Sequence, residues 1–254
     1  MRLTLIALLT LVLATLVAVP TSAQVVLTGI GSTEMITFDS FLGDGFAPMP
    51  AAGQLDSDTW SITGMSDGDL AFGATNTSGD YARGSSNGSV TTGGIYAFDV
   101  LAVSPMEGGS SRALGFQPGG SDVTPGTFTL RVDNDSGDQI DEIDVTYNVY
   151  VFNDQPRANS VNFSFSLDGV TFTPVPALDF TSPEAADGLV LWSATARSTT
   201  LTMLAAGFQD GDSIFLRWTT DDVSGGGSRD EFALDDIEIT ATVVPVELTT
   251  FTID

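Results

Sequence analysis

The chain contains no cysteine, no histidine and no lysine, and each absence removes a class of chemistry. Without cysteine there is no thiol nucleophile, iron–sulfur cluster or disulfide framework. Without histidine there is no Ser-His-Asp triad, no imidazole base and no His-ligated zinc or haem, because each needs a ring nitrogen that titrates or donates near neutral pH. The eight cations are all arginines (Arg2, Arg83, Arg112, Arg131, Arg157, Arg197, Arg217 and Arg229), so a Schiff-base lysine is excluded as well. Against them stand 33 acidic residues, for a formal charge of −25. Scattered arginines do not make the basic footprint that phosphate binding needs, so nucleic acid is not an expected partner. Multivalent cations are the partners that such an acidic excess invites, and the excess keeps a chain hydrated under screening salt.

What is present points outward from the cell. Residues Met1 to Ala23 carry one cation, Arg2, then an apolar run from Leu3 to Val19, then Pro20-Thr21-Ser22-Ala23 ahead of Gln24. That order describes a secretory signal peptide over 1–23. No later stretch is long and apolar enough to span a bilayer, so the mature chain is expected to be extracellular or at the cell surface, without membrane insertion.

Helical periodicity is nearly absent, and β-branched and aromatic runs recur between Gly, Asp, Asn, Ser and Pro clusters. This is the pattern of short antiparallel strands joined by turns. In Ile143 to Phe152, the residues Ile143, Val145, Tyr147, Val149 and Val151 share one side, and Asp144, Thr146 and Asn148 the other. Thr127 to Val132 alternates likewise, and Asp133-Asn134-Asp135-Ser136-Gly137-Asp138 between the two is turn chemistry, which predicts a hairpin. The same stretch looks like an EF-hand loop, but its Gly falls early and no closing Glu follows. Val161, Phe163, Phe165 and Leu167 face in, and Asp168-Gly169 closes a tight turn into Val170 to Thr173. Further strands are expected at 35–38, 59–63, 70–72, 94–100, 113–116, 189–192, 199–204, 213–219 and 232–244. About a dozen one-face apolar strands predict an all-β, antiparallel two-sheet β-sandwich. One domain over 25–244 is expected, with 245–254 as a C-terminal tail or truncated linker.

The densest acidic stretch runs from Asp221 to Glu231 and continues through Phe232-Ala233-Leu234-Asp235-Asp236-Ile237-Glu238-Ile239. Strict alternation places Ala233, Asp235, Ile237 and Ile239 on one face and Phe232, Leu234, Asp236 and Glu238 on the other. One acid of the Asp235-Asp236 pair then points with apolar neighbours, and it needs a metal, an arginine or backbone donors.

The stretch Phe232-Ala233-Leu234-Asp235-Asp236-Ile237 resembles the closing strand of jelly-roll modules of the MAM and carbohydrate-binding type. Ile36-Thr37-Phe38-Asp39-Ser40-Phe41, followed by Asp58-Thr59-Trp60, resembles their opening strand. The resemblance implies jelly-roll topology, adjacent first and last strands, and a structural calcium bound by Asp39, Asp235 and Asp236. Val244-Pro245-Val246-Glu247-Leu248-Thr249-Thr250-Phe251 is similar to the segment before a type IX secretion sorting domain in Bacteroidetes-type surface proteins. Gly115 to Gly120 and Asn153-Asp154-Gln155-Pro156-Arg157 look like segments of such multidomain proteins.

Sugar recognition uses exposed aromatic faces beside hydrogen-bonding side chains. Trp60, Trp192 and Trp218 share parity with apolar residues and read as core. Tyr81 and Arg83 in Gly79-Asp80-Tyr81-Ala82-Arg83-Gly84, together with Arg157, are the surface candidates for ligand contact. No pair of carboxylates stands out as a glycosidase couple. The reading is an exported, non-catalytic binding or cell-surface module with a polysaccharide or cell-surface glycan as partner. The alternatives are a carboxylate-dependent glycan hydrolase or lyase, and an architectural adhesin domain.

Overall fold

A computed structural model describes residues 24–101, 111–202 and 207–242. The expected signal segment, 1–23, and the tail, 245–254, lie outside the described residues. In chain order the first strands are β1 Val25–Leu27, β2 Thr33–Ile36, β3 Phe46–Ala47, β4 Leu55–Asp56, β5 Trp60–Thr63 and β6 Ser85–Ser86. Then come β7 Gly94–Asp99, β8 Arg112–Gln117, β9 Gly126–Asn134, β10 Glu142–Phe152 and β11 Arg157–Ser166. The last are β12 Thr173–Pro174, β13 Phe180–Thr181, β14 Ser193–Thr202, β15 Ser213–Gly225 and β16 Glu231–Thr242. Two short 3-10 turns, Gly79–Tyr81 and Pro176–Leu178, are the helical elements among the described residues.

The strands form a two-sheet β-sandwich, as the alternation predicts. Sheet A runs β1-β9-β15-β11-β12, with β5 also on β9 and β13 on β11; sheet B runs β14-β10-β16-β8-β7-β6, with β2 on β16. Pairing between the long strands is antiparallel, while the short β1 and β6 pair in parallel with β9 and β7. The sheets close on one apolar layer whose centre is Trp218 of sheet A, edge-on to Tyr147 of sheet B at 5.4 Å and to Phe163 at 5.4 Å. Trp60 joins them at 6.1 Å. Such aromatic pairs contribute about 0.5–1.5 kcal/mol beyond the area they bury. Trp60 and Trp218 are thus core, as their parity predicts. Trp192 is half-buried outside that layer, against Phe98 and Phe152 on the outer face of sheet B.

Three expectations are corrected. Residues 133–138 do not close a hairpin: β9 lies in sheet A and β10 in sheet B, so the segment is a corner between sheets. Asn134 holds that corner, its Nδ2 donating to the carbonyls of Asp138 and Phe208. Residues 189–191 are not a strand; Leu189, Val190 and Leu191 are exposed before β14 begins at Ser193. Strict alternation also fails in β16. Thr146 pairs with Glu238 and Asn148 with Asp235, so two residues oppose one, and Asp236 sits at φ 51° in the left-handed region. This bulge shifts the phase of the strand. Phe232 and Leu234 therefore share the core with Ile237, Ile239 and Ala241.

Candidate functional site

The two outer faces differ. On sheet B, Tyr96, Phe98, Val100, Ala113, Tyr150 and Ala233 form a second buried apolar cluster, with Val90 and Trp192 packed against it. Gly115 makes room for it: a Cβ there would lie 2.1 Å from the Phe98 ring. The loop above is tied down where Trp192 Nε1 donates to the Asn87 carbonyl at 3.0 Å. This end of the face is already covered.

On sheet A the outer face keeps half-exposed aromatics. β15 reads Ile214-Phe215-Leu216-Arg217-Trp218, and alternation sends Ile214, Leu216 and Trp218 inward. Phe215 and Arg217 therefore point outward, and both are half-buried. The loop after β5, anchored by the Ile62–Leu70 bridge, brings the Phe72 ring to 5.8 Å from Phe215. From the other side, the turn after β11 lays Phe172 against Arg217, whose guanidinium carbon is 3.4 Å from the ring centroid. Asp168 fixes that turn: its Oδ1 accepts from Ser166 Oγ and from the backbone N–H groups of Val170 and Thr171. These bonds hold the Asp168 carboxyl well below the usual range. Arg217 Nε donates to Thr129 Oγ1 at 2.9 Å. Nearby, Asp133 accepts from Arg131 at 3.1 Å and from Ser213 at 2.5 Å. No ion pair among the described residues includes Arg217. Three rings, a guanidinium free of carboxylates and several hydroxyls thus share one face. That combination can cover the apolar side of a ring while donating to its polar edge.

The ligand residues expected from sequence are not brought together there. Tyr81 is wholly buried: its ring meets Phe46 edge-on at 6.1 Å, and its hydroxyl donates to the Gly68 carbonyl at 2.7 Å. It is a core residue, because the 3-10 turn that carries it folds inward. Arg83 is committed to Asp80 at 2.5 Å and to the Gly93 carbonyl at 3.0 Å. Arg157 shares Asp222 with Arg229, each at 2.5 Å. These two arginines brace loops. Sequence reasoning passed over Phe215 although its signal was present: an aromatic on the polar parity of an alternating strand, two residues from an arginine.

The acids expected to bind calcium do converge. β2 pairs with β16, Ile36 opposite Ile237, and the charges of Asp236 and Asp39 both act on Asp235. Asp235 is 3% exposed. Burial pushes its carboxyl up to about 6, opposed by the backbone N–H groups of Asp236 and Phe38 that it accepts from. Asp236 is exposed at the bulge and accepts from Asn148 Nδ2 at 2.9 Å. Backbone donors, one of the three solutions open to a buried acid, are the ones used here. Among the described residues no group of three or more Asp or Glu is disposed to hold a metal ion, Asp39, Asp235 and Asp236 included.

Two further acids are buried at the start of β16. Burial pushes Glu231 up to about 8 and Asp230 up to about 6. Both are 0% exposed, which removes them from any substrate and from a glycosidase role.

No family model matches the chain, and no curated protein matches it. Solved structures are similar in fold. The cleaved adhesin domain of Lys-gingipain from Porphyromonas gingivalis is 15% identical and aligns over 84% of this chain and 100% of its own, with a TM-score of 0.43. A xylan-binding domain from Paenibacillus barcinonensis is 8% identical over 86% of this chain and 100% of its own, with a TM-score of 0.40. A carbohydrate-binding module specific for non-crystalline cellulose is 14% identical over 83% and 96%, also at 0.40.

Proposed function

We propose that the chain is an exported, non-catalytic glycan-binding module whose binding face is the outer side of sheet A. The observation that carries this reading is the half-exposed set Phe72, Phe172 and Phe215 around Arg217. An aromatic ring matches the apolar face of a pyranose, and a guanidinium donates in a planar fork to adjacent hydroxyls or to the carboxylate of an acidic sugar. In so acidic a protein, Arg217 is half-buried, is in no ion pair among the described residues and donates its Nε to Thr129, which leaves its terminal amino groups to meet a ligand beside the rings. The segment at 1–23 would direct export, and the tail's likeness to a pre-sorting segment would place the module at a cell surface.

The test is affinity electrophoresis through xylan, non-crystalline cellulose, galactan and polygalacturonate, with reducing ends assayed in parallel. Retardation by at least one polymer without release of reducing ends is expected. Phe172→Ala, Phe215→Ala and Arg217→Gln should each weaken it by about tenfold, the loss of one stacked or charge-assisted contact. Release of reducing ends would replace this reading with an enzyme. Absence of retardation by every polymer would leave an architectural adhesin domain.

A further inference from the structure

Sheet B ends on a long strand that pairs on one side only. β14 has ten residues and meets β10 in an unbroken register, from Glu142 opposite Thr202 to Val151 opposite Ser193. Among the described residues no backbone hydrogen bond joins its other side to a further segment. The remaining sheet ends are short: β1 has three residues, β6 and β12 have two, and β12 closes on Pro174. Sheets blunt their edges with brevity, proline, bulges or charge, because a free row of N–H and C=O groups pairs with any strand that reaches it. β14 uses none of these outward. Its one charged residue, Arg197, lies opposite the buried Tyr147 and over the Phe180 ring at 5.6 Å, turned toward the sandwich interior.

The edge also stands apart in charge. From Gly188 to Gln209 the chain carries no acid, the longest such run beyond the expected signal segment among 33 acids. Ala194, Ala196, Ser198, Thr200 and Thr202 are exposed along β14, and all are small and uncharged. Asp144 and Glu142 on the neighbouring β10 accept from Thr200 Oγ1 and Thr202 Oγ1 at 2.5 and 3.2 Å. Directly ahead of the strand, Leu189, Val190 and Leu191 are 53%, 80% and 41% exposed, three consecutive members of the nine large apolar residues exposed in the described chain.

Charge selects the occupant. Two copies at −25 repel wherever their acids face, so an acid-free edge is where the chain can meet itself. A foreign peptide added to a sheet edge is chosen by pockets for its alternate side chains. A row of Ala, Ser and Thr offers no such pockets, yet it fits against an identical row without clash or like charge. We propose that β14 is a homodimer edge, pairing antiparallel with the same strand of a second copy so that the two B sheets become one. A two-fold axis perpendicular to sheet B gives this isologous contact, with the 189–191 segments at its two ends. The same axis turns the outer sides of both A sheets to one side and leaves them free, so the proposal does not depend on the glycan reading.

Sedimentation of the purified chain over a range of concentrations tests it. A monomer–dimer equilibrium is expected, tightening between 0.05 and 1 M sodium chloride as the net repulsion is screened. Ala196→Glu combined with Ser198→Glu places acids on the edge and should weaken the dimer by about tenfold or more, without a loss of β-sheet signal. The chain has no cysteine, so single substitutions Ala194→Cys, Ala196→Cys, Ser198→Cys and Thr200→Cys provide a second, gentler readout. Under mild oxidation one of them, the position nearest the axis, should give disulfide-linked dimers more readily than Val223→Cys, an exposed position on β15. A chain that stays monomeric up to about 1 mM, the weak end of specific association, overturns the proposal. So does a dimer that survives the paired glutamates, or one that none of the four β14 cysteines cross-links above the Val223→Cys level.

Discussion

Asp235 shows what one buried carboxyl does to a stability curve. Its folded pKa of about 6 lies above the ordinary 3.8. Below pH 4 the folded and unfolded groups both hold a proton and Asp235 has no effect on the balance. Between pH 4 and 6 the unfolded carboxyl has ionised and the folded one has not, so the folded state loses ground as pH rises; above 6 the slope flattens. The two units correspond to a loss on the order of 3 kcal/mol. Chemical denaturation of wild type and Asp235→Asn from pH 4 to 7 should show that component in the former and not in the latter. Equal slopes would show that Asp235 titrates normally. Such a shift is not visible in a sequence, where Asp235 and Asp236 are two identical letters; burial and a bulge divide their roles.

Elements divide the same way between what the chain discloses and what it hides. The parity of β10 and of β15 is legible because one face of each is apolar without interruption, and that same parity exposes Phe215 and Arg217. Which strand pairs with which is not legible: the residues 133–138 suit a corner between sheets as well as a hairpin, because both need the same polar, turn-forming side chains. The β16 bulge is hidden for a related reason. Its left-handed residue is Asp236, where a glycine would have announced it. Asp236→Gly should keep the unfolding free energy within about 1 kcal/mol of wild type, since glycine adopts positive φ freely. Asp236→Val should lose about 1–2 kcal/mol more, because a β-branched residue is strained there. Both variants forfeit the Asn148 hydrogen bond, so their difference isolates the backbone. If valine is tolerated as well as glycine, the bulge is not held in that conformation.

At the scale of the whole molecule, 33 acids against eight arginines make self-repulsion a term in folding. Exposed charges are screened over about 10 Å at 0.1 M salt and about 3 Å at 1 M. With chelator present to remove any cation contribution, the thermal midpoint should rise between 0.05 and 1 M sodium chloride, the concentrations spanning about 14 to 3 Å of screening length. A flat or falling midpoint would mean that local pairs such as Asp222 with Arg157 and Arg229 outweigh the net charge.

The alternation of sheets along the chain also governs how the protein must be made. β9, β10 and β11 fall in sheets A, B and A, and β14, β15 and β16 in B, A and B. The middle strand of each layer, β15 in one and β16 in the other, belongs to the last part of the described chain. Neither layer has its keystone until the C-terminal strands arrive, and contacts so remote in sequence are reached slowly. A nascent polypeptide of this design stays uncommitted through most of its synthesis and sets only when its last strands close both layers.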